Sequence, residues 1–188
     1  MNLFNSFIIK TVPHLPKWFT KPFAKPYVAG ETTQEALKNV AELNQNGYKA
    51  TLDILGEHVI SSNLAKNITN QYCNLYQQIS DEKLNCTISV KPSHIGLNIS
   101  YFEALENMEL ISKKAKDLDN FLRIDMESSD LTDQTFKLLN ECKRITKNIG
   151  VAMQAYLFRS LEDIDTLADS EFNARICKGI YKEDSSVA

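Results

Sequence analysis

The chain has 188 residues, of which 43% are hydrophobic and 24% are charged, and its net charge at pH 7 is −3. This composition is typical of a globular chain that buries one core, and it excludes disordered and collagen-like proteins. Because the net charge is negative, the chain offers no basic field to a phosphate backbone, and we expect no nucleic-acid partner.

The first thirty residues form a basic, aromatic segment with no acidic residue. Four prolines prevent one long helix, so residues 1–30 are predicted to form an amino-terminal arm of short helices that packs on the domain. The alternative is a basic aromatic surface that touches anionic lipid. The segment lacks the uninterrupted apolar run of an export signal, and no stretch of the chain reaches transmembrane length.

Helical and strand patterns alternate from Thr32 onward. Thr32 and Glu35 predict a capping box at the start of a helix, and Ser100 with Glu103 predicts a second one. Apolar residues at intervals of three and four mark the other helices. The predicted helices cover residues 32–45, 64–79, 100–116, 136–145 and 160–168. The predicted strands cover residues 48–55, 86–90, 121–126, 150–156 and 174–181.

Strands that alternate with helices predict a parallel sheet covered by helices. A doubly wound dinucleotide-binding fold would show G-x-G-x-x-G after its first strand, whereas this chain has Leu55-Gly56-Glu57-His58 there. We therefore predict an α/β fold over residues 31–188, of the (β/α)8 TIM-barrel type and distorted. Because the chain ends at Ala188, we expect the barrel to be truncated after its fifth strand.

Polar residues follow or occupy the ends of the predicted strands: Lys91, Asp125, Gln154, and Arg175 with Lys178. Taken singly, each has a structural explanation as an ion-pair partner or a satisfied amide. Together, Lys91, Asp125, Gln154 and Arg175 place a cation, a carboxylate, an amide and a second cation on four consecutive strand ends. Desolvating this set is a cost that a purely structural core avoids, so the pattern favours a site for an anionic or polar ligand.

The four cysteines show no C-x-x-C pair and no histidine at metal-ligand spacing. This pattern predicts neither a zinc site nor a disulfide framework, and no metal site is expected elsewhere. The absence of a disulfide pattern favours a reducing, cytoplasmic location.

Six segments resemble the bacterial, FAD-dependent proline dehydrogenases, in the order and at the spacing of that family. The resemblance extends over nearly the whole chain. The segments are YVAGET from Tyr27, ATLDILGE from Ala50, SVK from Ser89, RIDME from Arg123, QAYLFR from Gln154 and RICKGIYKE from Arg175.

The resemblance implies a distorted (β/α)8 barrel that holds FAD, oxidises L-proline to Δ1-pyrroline-5-carboxylate in proline catabolism to glutamate, and passes electrons to a membrane quinone. A cytoplasmic protein that is peripheral to the inner face of the membrane is then expected. Lys91 matches the lysine that binds the substrate carboxylate, a role suited to a point charge. Asp125 and Arg175 match catalytic-site residues beside the flavin.

The same resemblance assigns cofactor contacts. Met126 and Gln154 match positions that contact the isoalloxazine ring, where an amide can tune flavin electronics. Lys178, Gly179 and Ile180 match a segment that runs along the FAD, where glycine permits close backbone approach. Ile180 replaces the alanine that is usual in the family, and its larger side chain either crowds the cofactor or repacks.

Two alternatives stay open. The last three strands of the family, with their substrate-binding arginines, have no counterpart before Ala188, so the chain could be an inactive half barrel that requires a second chain to cover its open edge. A Schiff-base barrel enzyme of the aldolase type would instead use Lys91 as the nucleophile, with Asp125 as its acid/base partner.

Overall fold

The computed structural model describes residues 28–169 and 171–188. Most of the predicted amino-terminal arm, residues 1–27, lies outside this part of the chain. Two compact units are present, residues 1–48 and residues 49–188. None of the helices within the described residues combines the length and the apolar content that a membrane crossing requires.

The described part of the first unit contains one helix, α1 (Thr33–Gln45). The hydroxyl of Thr32 accepts the backbone N–H of Glu35 at 3.2 Å, as the capping pattern predicts. The Glu35 carboxylate accepts the N–H of Glu31 at 2.8 Å, one residue before the position that a regular capping box uses. The helix therefore begins where the sequence indicates, with a variant of the expected cap.

The second unit holds five parallel strands in the order β1-β2-β3-β4-β5, so each strand pairs with its neighbours in sequence. They form a curled half-barrel of the predicted α/β type. The strands are β1 (Ala50–Leu52), β2 (Cys86–Val90), β3 (Leu122–Ile124), β4 (Ile149–Gln154) and β5 (Ala174–Cys177). The helices are α2 (Ser62–Asp81), α3 (Tyr101–Asp117), α4 (Thr132–Cys142) and α5 (Ser160–Leu167). Two short 3-10 turns follow β2 and β3, at Pro92–Ile95 and Ser129–Leu131.

Four of the five strands end before the predicted residue. The strands β3 and β4 end at Ile124 and Gln154, two residues early, and the differences are larger at β1 and β5. The predicted strand 48–55 is observed as β1, which ends at Leu52, and the predicted strand 174–181 ends at Cys177. Gly56 and Gly179 follow these ends with φ values of +150° and +111°, a conformation that interrupts extended backbone. Asp125 and Lys178 therefore lie in loops at the carboxyl edge of the sheet, whereas Gln154 is the last residue of β4 and Arg175 lies within β5.

Alternation along the strands separates an apolar face from a polar one. The apolar face, with Ile88 and Ile124 fully buried, packs against helices that contribute Tyr72 and Met108. The polar inner face carries residues of opposite parity: Thr51, Thr87, Ser89, Arg123 and Arg175. The Thr51 and Thr87 hydroxyls lie 2.9 Å apart in paired strand positions. The core thus lies between sheet and helices, and the inner face is left for polar chemistry.

Candidate active site

Four charged side chains meet on the inner face, and we call them the charged cluster: Asp53, Lys91, Asp125 and Arg175. Lys91 Nζ lies 3.0 Å from Asp53 Oδ2 and 3.7 Å from Asp125 Oδ2. Arg175 Nη2 donates to Asp125 Oδ1 at 2.8 Å. Three of the residues predicted from sequence therefore come together, because parallel strands bring their carboxyl ends to one edge.

The neighbours of Lys91 keep its amine protonated. Burial acts to lower the Lys91 pKa, but the hydrogen bond to Asp53 and the charges of Asp53 and Asp125 outweigh it, so the pKa is raised. A charged ammonium can bind a carboxylate. It cannot attack a carbonyl, because a Schiff-base lysine must be neutral. The electrostatics therefore favour a binding role for Lys91 over the aldolase alternative.

A cavity of about 140 Å³ adjoins this cluster, lined by Thr51, Leu52, Asp53, Ser89, Asp125 and Arg175. Ser89 Oγ is buried and has no hydrogen-bond partner within the described residues. A buried, unpaired hydroxyl is costly, so a polar ligand atom or a water molecule is its natural partner. The cavity is thus built to receive a polar group between the two carboxylates.

A larger groove of about 290 Å³ lies elsewhere, between α4 and α5. Three of its four charged groups are already paired, since Arg159 forms ion pairs with Asp133 at 2.6 Å and with Asp163 at 2.8 Å. The groove is lined by helices and not by strand ends. We therefore place the site in the smaller cavity.

Gln154 and Met126 lie beside the cluster and not within it. Gln154 is 2% exposed, and its Nε2 donates to the backbone carbonyl of Glu127 at 2.8 Å. Met126 is also buried, and its sulfur accepts the Thr132 hydroxyl at 3.7 Å. Gln154 is the last residue of β4, and Met126 follows the adjacent strand β3. Their predicted contacts with a flavin ring stay predictions.

The segment Lys178–Ile180 follows β5. Lys178 is exposed, and Ile180 is 90% exposed, so this larger side chain crowds none of the described residues. A Cβ atom at Gly179 would overlap the ring of Tyr156. The close approach that glycine permits here is therefore to an aromatic ring of the protein, and the predicted approach to FAD stays a prediction.

Sequence reasoning missed two carboxylates. Asp53 is the closer partner of Lys91, and its position inside the predicted strand 48–55 hid its place at a strand end. The signal was present, because Asp53 is the one charged residue in the apolar run ATLDIL. Glu127 is fully buried in the segment after β3. The only sequence signal for it was a second acidic residue, two positions after Asp125, to which the strand-end pattern assigned no role.

A contact across the open face was also missed. Tyr181 Oη lies 3.3 Å from Glu57 Oε2, so the segment after β5 meets the loop after β1. Burial, followed by the charges of Glu127 and Glu57, raises the Tyr181 pKa. The phenol therefore stays protonated and donates to the carboxylate.

The strand order, the parallel pairing and a charged cluster at the carboxyl edge define a protein of the α/β-barrel class with its site on the face where such barrels hold substrates. A sequence profile of the family described as proline dehydrogenase matches residues 36–184. The chain belongs to the proline dehydrogenase family.

Curated relatives agree with this assignment. Proline dehydrogenase 1 of Bacillus subtilis (strain 168) is 37% identical over 180 residues, which cover 95% of this chain and 60% of the relative. The proline dehydrogenase of Deinococcus radiodurans is 30% identical over 172 residues, covering 88% of this chain and 55% of the relative. The chain thus spans 60% or less of the length of these two relatives.

A solved structure supports the fold. Proline utilization A (PutA) from Bdellovibrio bacteriovorus, inactivated by N-propargylglycine, matches with a TM-score of 0.78 at 24% identity. The match covers 87% of this chain and 21% of that protein. At this identity, the likeness shows that the half-barrel is shared.

Proposed function

We propose that this protein is a proline dehydrogenase that oxidises L-proline to Δ1-pyrroline-5-carboxylate with FAD, in the catabolism of proline to glutamate. The observation that carries the proposal is Lys91, an ammonium held between two carboxylates beside a polar cavity. Family membership supplies the reaction, and the cluster supplies the binding chemistry.

The charge pattern of the cluster suits a zwitterionic amino acid. Lys91 and Arg175 are cations, and Asp53 and Asp125 are carboxylates. We assign the substrate carboxylate to Lys91, while the acidic side chains favour the amine end of the same molecule. A substrate fixed at both ends presents one carbon beside the amine, and orientation of this kind supplies much of the catalysis.

The residues present fit a flavin nucleotide. Arg175 and the exposed Lys178 offer cations to an anionic cofactor, and the exposed Ile180 offers apolar surface to a planar ring. Met126 and Gln154 are proposed to contact the isoalloxazine, with Gly179 beside the nucleotide chain. When bound, FAD supplies the acceptor for the hydride that leaves the carbon beside the amine.

We further propose that electrons pass to a quinone, and that the cytoplasmic protein visits the inner face of the membrane to deliver them. The basic, aromatic sequence of residues 1–30 supports this contact, since lysines near an anionic surface add attraction. Within the described residues, β1 and β5 have no outer neighbour. We propose that further strands, in this polypeptide or in a second chain, pair with these edges.

Product formation tests the proposal. The purified protein, supplied with FAD and an artificial electron acceptor, should convert L-proline to a product that o-aminobenzaldehyde traps, while D-proline should not react. Lys91→Met removes the charge that binds the carboxylate, and we expect the KM for L-proline to rise at least tenfold, the effect of about 1.5–3 kcal/mol for a hydrogen bond to a charged group. Lys143→Met, which removes a lysine paired with Asp169, is the matched control. An unchanged KM in Lys91→Met would contradict the assigned role.

A further inference from the structure

Ser93 and Glu127 make a two-point contact immediately behind the charged cluster. The backbone N–H of Ser93 donates to Glu127 Oε2 at 2.8 Å, and the Ser93 hydroxyl donates to Glu127 Oε1. Both oxygens of the carboxylate are thereby engaged by one residue. Both residues have no exposed surface.

The positions of this contact in the sequence relate it to the cluster. Ser93 lies two residues after Lys91, and Glu127 lies two residues after Asp125. The backbone carbonyl of Lys91 also accepts the N–H of His94 at 3.0 Å, so Lys91 is the N-cap of the 3-10 turn Pro92–Ile95. A link between Ser93 and Glu127 therefore fixes the spacing between the two strand ends that carry Lys91 and Asp125.

The contact is the centre of a chain of hydrogen bonds across four loops. The His58 N–H donates to Ser93 Oγ at 3.0 Å, which joins the loop after β1. The Gln154 amide donates to the Glu127 carbonyl at 2.8 Å, and the Ser160 hydroxyl donates to the Gln154 carbonyl at 2.5 Å, which joins the end of β4 and the start of α5. These hydrogen bonds link the loops that follow β1, β2, β3 and β4.

Stability alone is a weak reason for such an arrangement. A buried carboxylate is destabilising unless it is fully paired, and in the described residues no lysine or arginine lies within ion-pair distance of Glu127. Hydrogen bonds from Ser93 only partly offset this cost. A group retained under these conditions is better explained by the geometry that it imposes.

We propose that Ser93 and Glu127 form a buried clamp that holds Lys91 opposite Asp125, so that Glu127 is a positioning residue for the binding of the substrate carboxylate. The proposal rests on the proposed function. Its geometric part, the dependence of Lys91 on the clamp, does not require turnover.

The test compares three variants of the full protein. Ser93→Ala removes the hydroxyl and keeps the Glu127 carboxylate. Glu127→Gln keeps the hydroxyl and removes the carboxylate charge. Ser129→Ala is the matched control, because Ser129 binds Glu183 through the same pair of groups, at 2.8 Å and 2.6 Å, in a less buried position after β3. In each variant, mass spectrometry follows the acylation of the Lys91 amine over a pH series, and the pH dependence reports the electrostatic environment of Lys91.

We expect Ser93→Ala and Glu127→Gln to lower the pH at which Lys91 becomes reactive and to raise the KM for L-proline at least tenfold with little change in kcat, since small displacements of a binding group carry penalties of up to about a hundredfold. Ser129→Ala should change neither quantity. Ser93→Ala removes a hydrogen bond that lowers the Glu127 pKa, so Lys91 acylation is compared in the alkaline range, where the Glu127 carboxyl is ionised with or without the hydroxyl. A shift there reports position and not the loss of a carboxylate.

The proposed clamp would be contradicted if the Ser93→Ala variant folded and had the same Lys91 reactivity and the same KM for L-proline as the unmodified protein. If the unmodified protein did not oxidise proline, the proposed function would fail while Lys91 reactivity still decided the clamp. If the variants did not fold, hydrogen exchange of the unmodified protein would decide: the Ser93 amide should be among the slowest-exchanging loop amides, and rapid exchange would refute the clamp.

Discussion

At the scale of single residues, the pairing of Lys91 with Asp53 distinguishes this site from a loose collection of charges. The Asp53 hydrogen bond and charge help to raise the Lys91 pKa against the opposing effect of burial. In Asp53→Asn we expect the Lys91 pKa to fall, because one of the two neighbouring carboxylates that oppose the effect of burial is lost. Selective acylation of Lys91 across a pH series measures the shift.

The control for this prediction is Asp169→Asn. The exposed carboxylate of Asp169 forms an ion pair with Lys143 at 2.9 Å, in a different part of the protein, so this change should leave the pKa of Lys91 unaltered. Equal Lys91 reactivity in Asp53→Asn and in the unmodified protein would show that Asp53 does not govern the ammonium.

Glu127 gives the chain a specific dependence of stability on pH. Burial, the largest effect, raises the Glu127 pKa, and hydrogen bonds from Ser93 oppose it. The folded state then holds this proton more tightly than the unfolded state, so its stabilising contribution is complete below the ordinary glutamate pKa and is lost as the pH rises through the raised value.

Chemical unfolding of the protein and of Glu127→Gln, from about pH 4 to about pH 8, tests this prediction. The free energy of unfolding of the unmodified protein, relative to the variant, should fall as the pH rises and then level off. A difference that rose with pH would mean that the charged carboxylate is the favoured form in the folded state.

The residues themselves show what sequence could and could not predict. Lys91, Asp125 and Arg175 were predicted because charged groups at consecutive strand ends together carry a desolvation cost that a structural core avoids, and the structure brings them together. Gln154 shares the strand-end pattern, yet its amide binds the backbone of Glu127. Asp53 was missed because the predicted strand 48–55 continued beyond it, and Glu127 was missed because its partner Ser93 carries no charge that would indicate a pair.

At the scale of secondary-structure elements, periodicity predicted all five strands and their helices, while the strand ends were less accurate. The end of β5 was predicted four residues late because Lys178 to Tyr181 continue an extended-looking pattern that Gly179 interrupts. Apolar periodicity reports which face is buried, but a strand ends where its hydrogen-bonded neighbour ends, which is a tertiary property.

The edge strand β5 is anchored by one side chain of the inner face. Arg123 donates to the carbonyls of Val151 and Asn173 at 3.1 Å each, and to Asn173 Oδ1 at 2.7 Å. Gly150 leaves room for this, since a Cβ atom there would lie 2.5 Å from the guanidinium. The contacts join β3 to the residue that precedes β5.

We expect Arg123→Met to lower the free energy of unfolding by about 1–3 kcal/mol, because it removes the hydrogen bonds that a charged guanidinium donates to Val151 and Asn173. Backbone amides of Ala174–Cys177 should exchange faster, as hydrogen–deuterium exchange can measure. Arg144→Met removes an exposed arginine whose pair with Glu141 lies on the surface, and a change of only a few tenths of a kcal/mol is expected there. Equal effects of the two substitutions would contradict the anchoring role.

At the scale of the whole molecule, the reaction could not be predicted from physical patterns alone. Alternation of strands and helices indicates a barrel and its functional face, and the charges indicate a polar ligand. Proline as the substrate and FAD as the cofactor were implied by the resemblance of six ordered motifs to a known family. The match to the family over residues 36–184 confirms that resemblance. Many chemistries share this fold, so the site and the family together have to carry the function.

The proposed membrane visit depends on residues 1–30. Replacing Lys10, Lys17, Lys21 and Lys25 by Gln should weaken binding to anionic vesicles at least tenfold, since each lysine near such a surface contributes about 1 kcal/mol. Vesicle sedimentation measures this, and added salt should weaken the unmodified protein likewise. The charge-matched control replaces four exposed lysines: Lys66, Lys83, Lys113 and Lys116. If both sets reduced binding equally, net charge and not the arm would explain it.

We propose that the inner face of this half-barrel brings L-proline to a bound flavin. The visible spectrum of the purified protein reconstituted with FAD, recorded before and after anaerobic addition of L-proline, tests this proposal. We predict a retained flavin band that bleaches with L-proline and persists with D-proline. A protein that retains no flavin, or a yellow protein whose spectrum L-proline leaves unchanged, would contradict the claim.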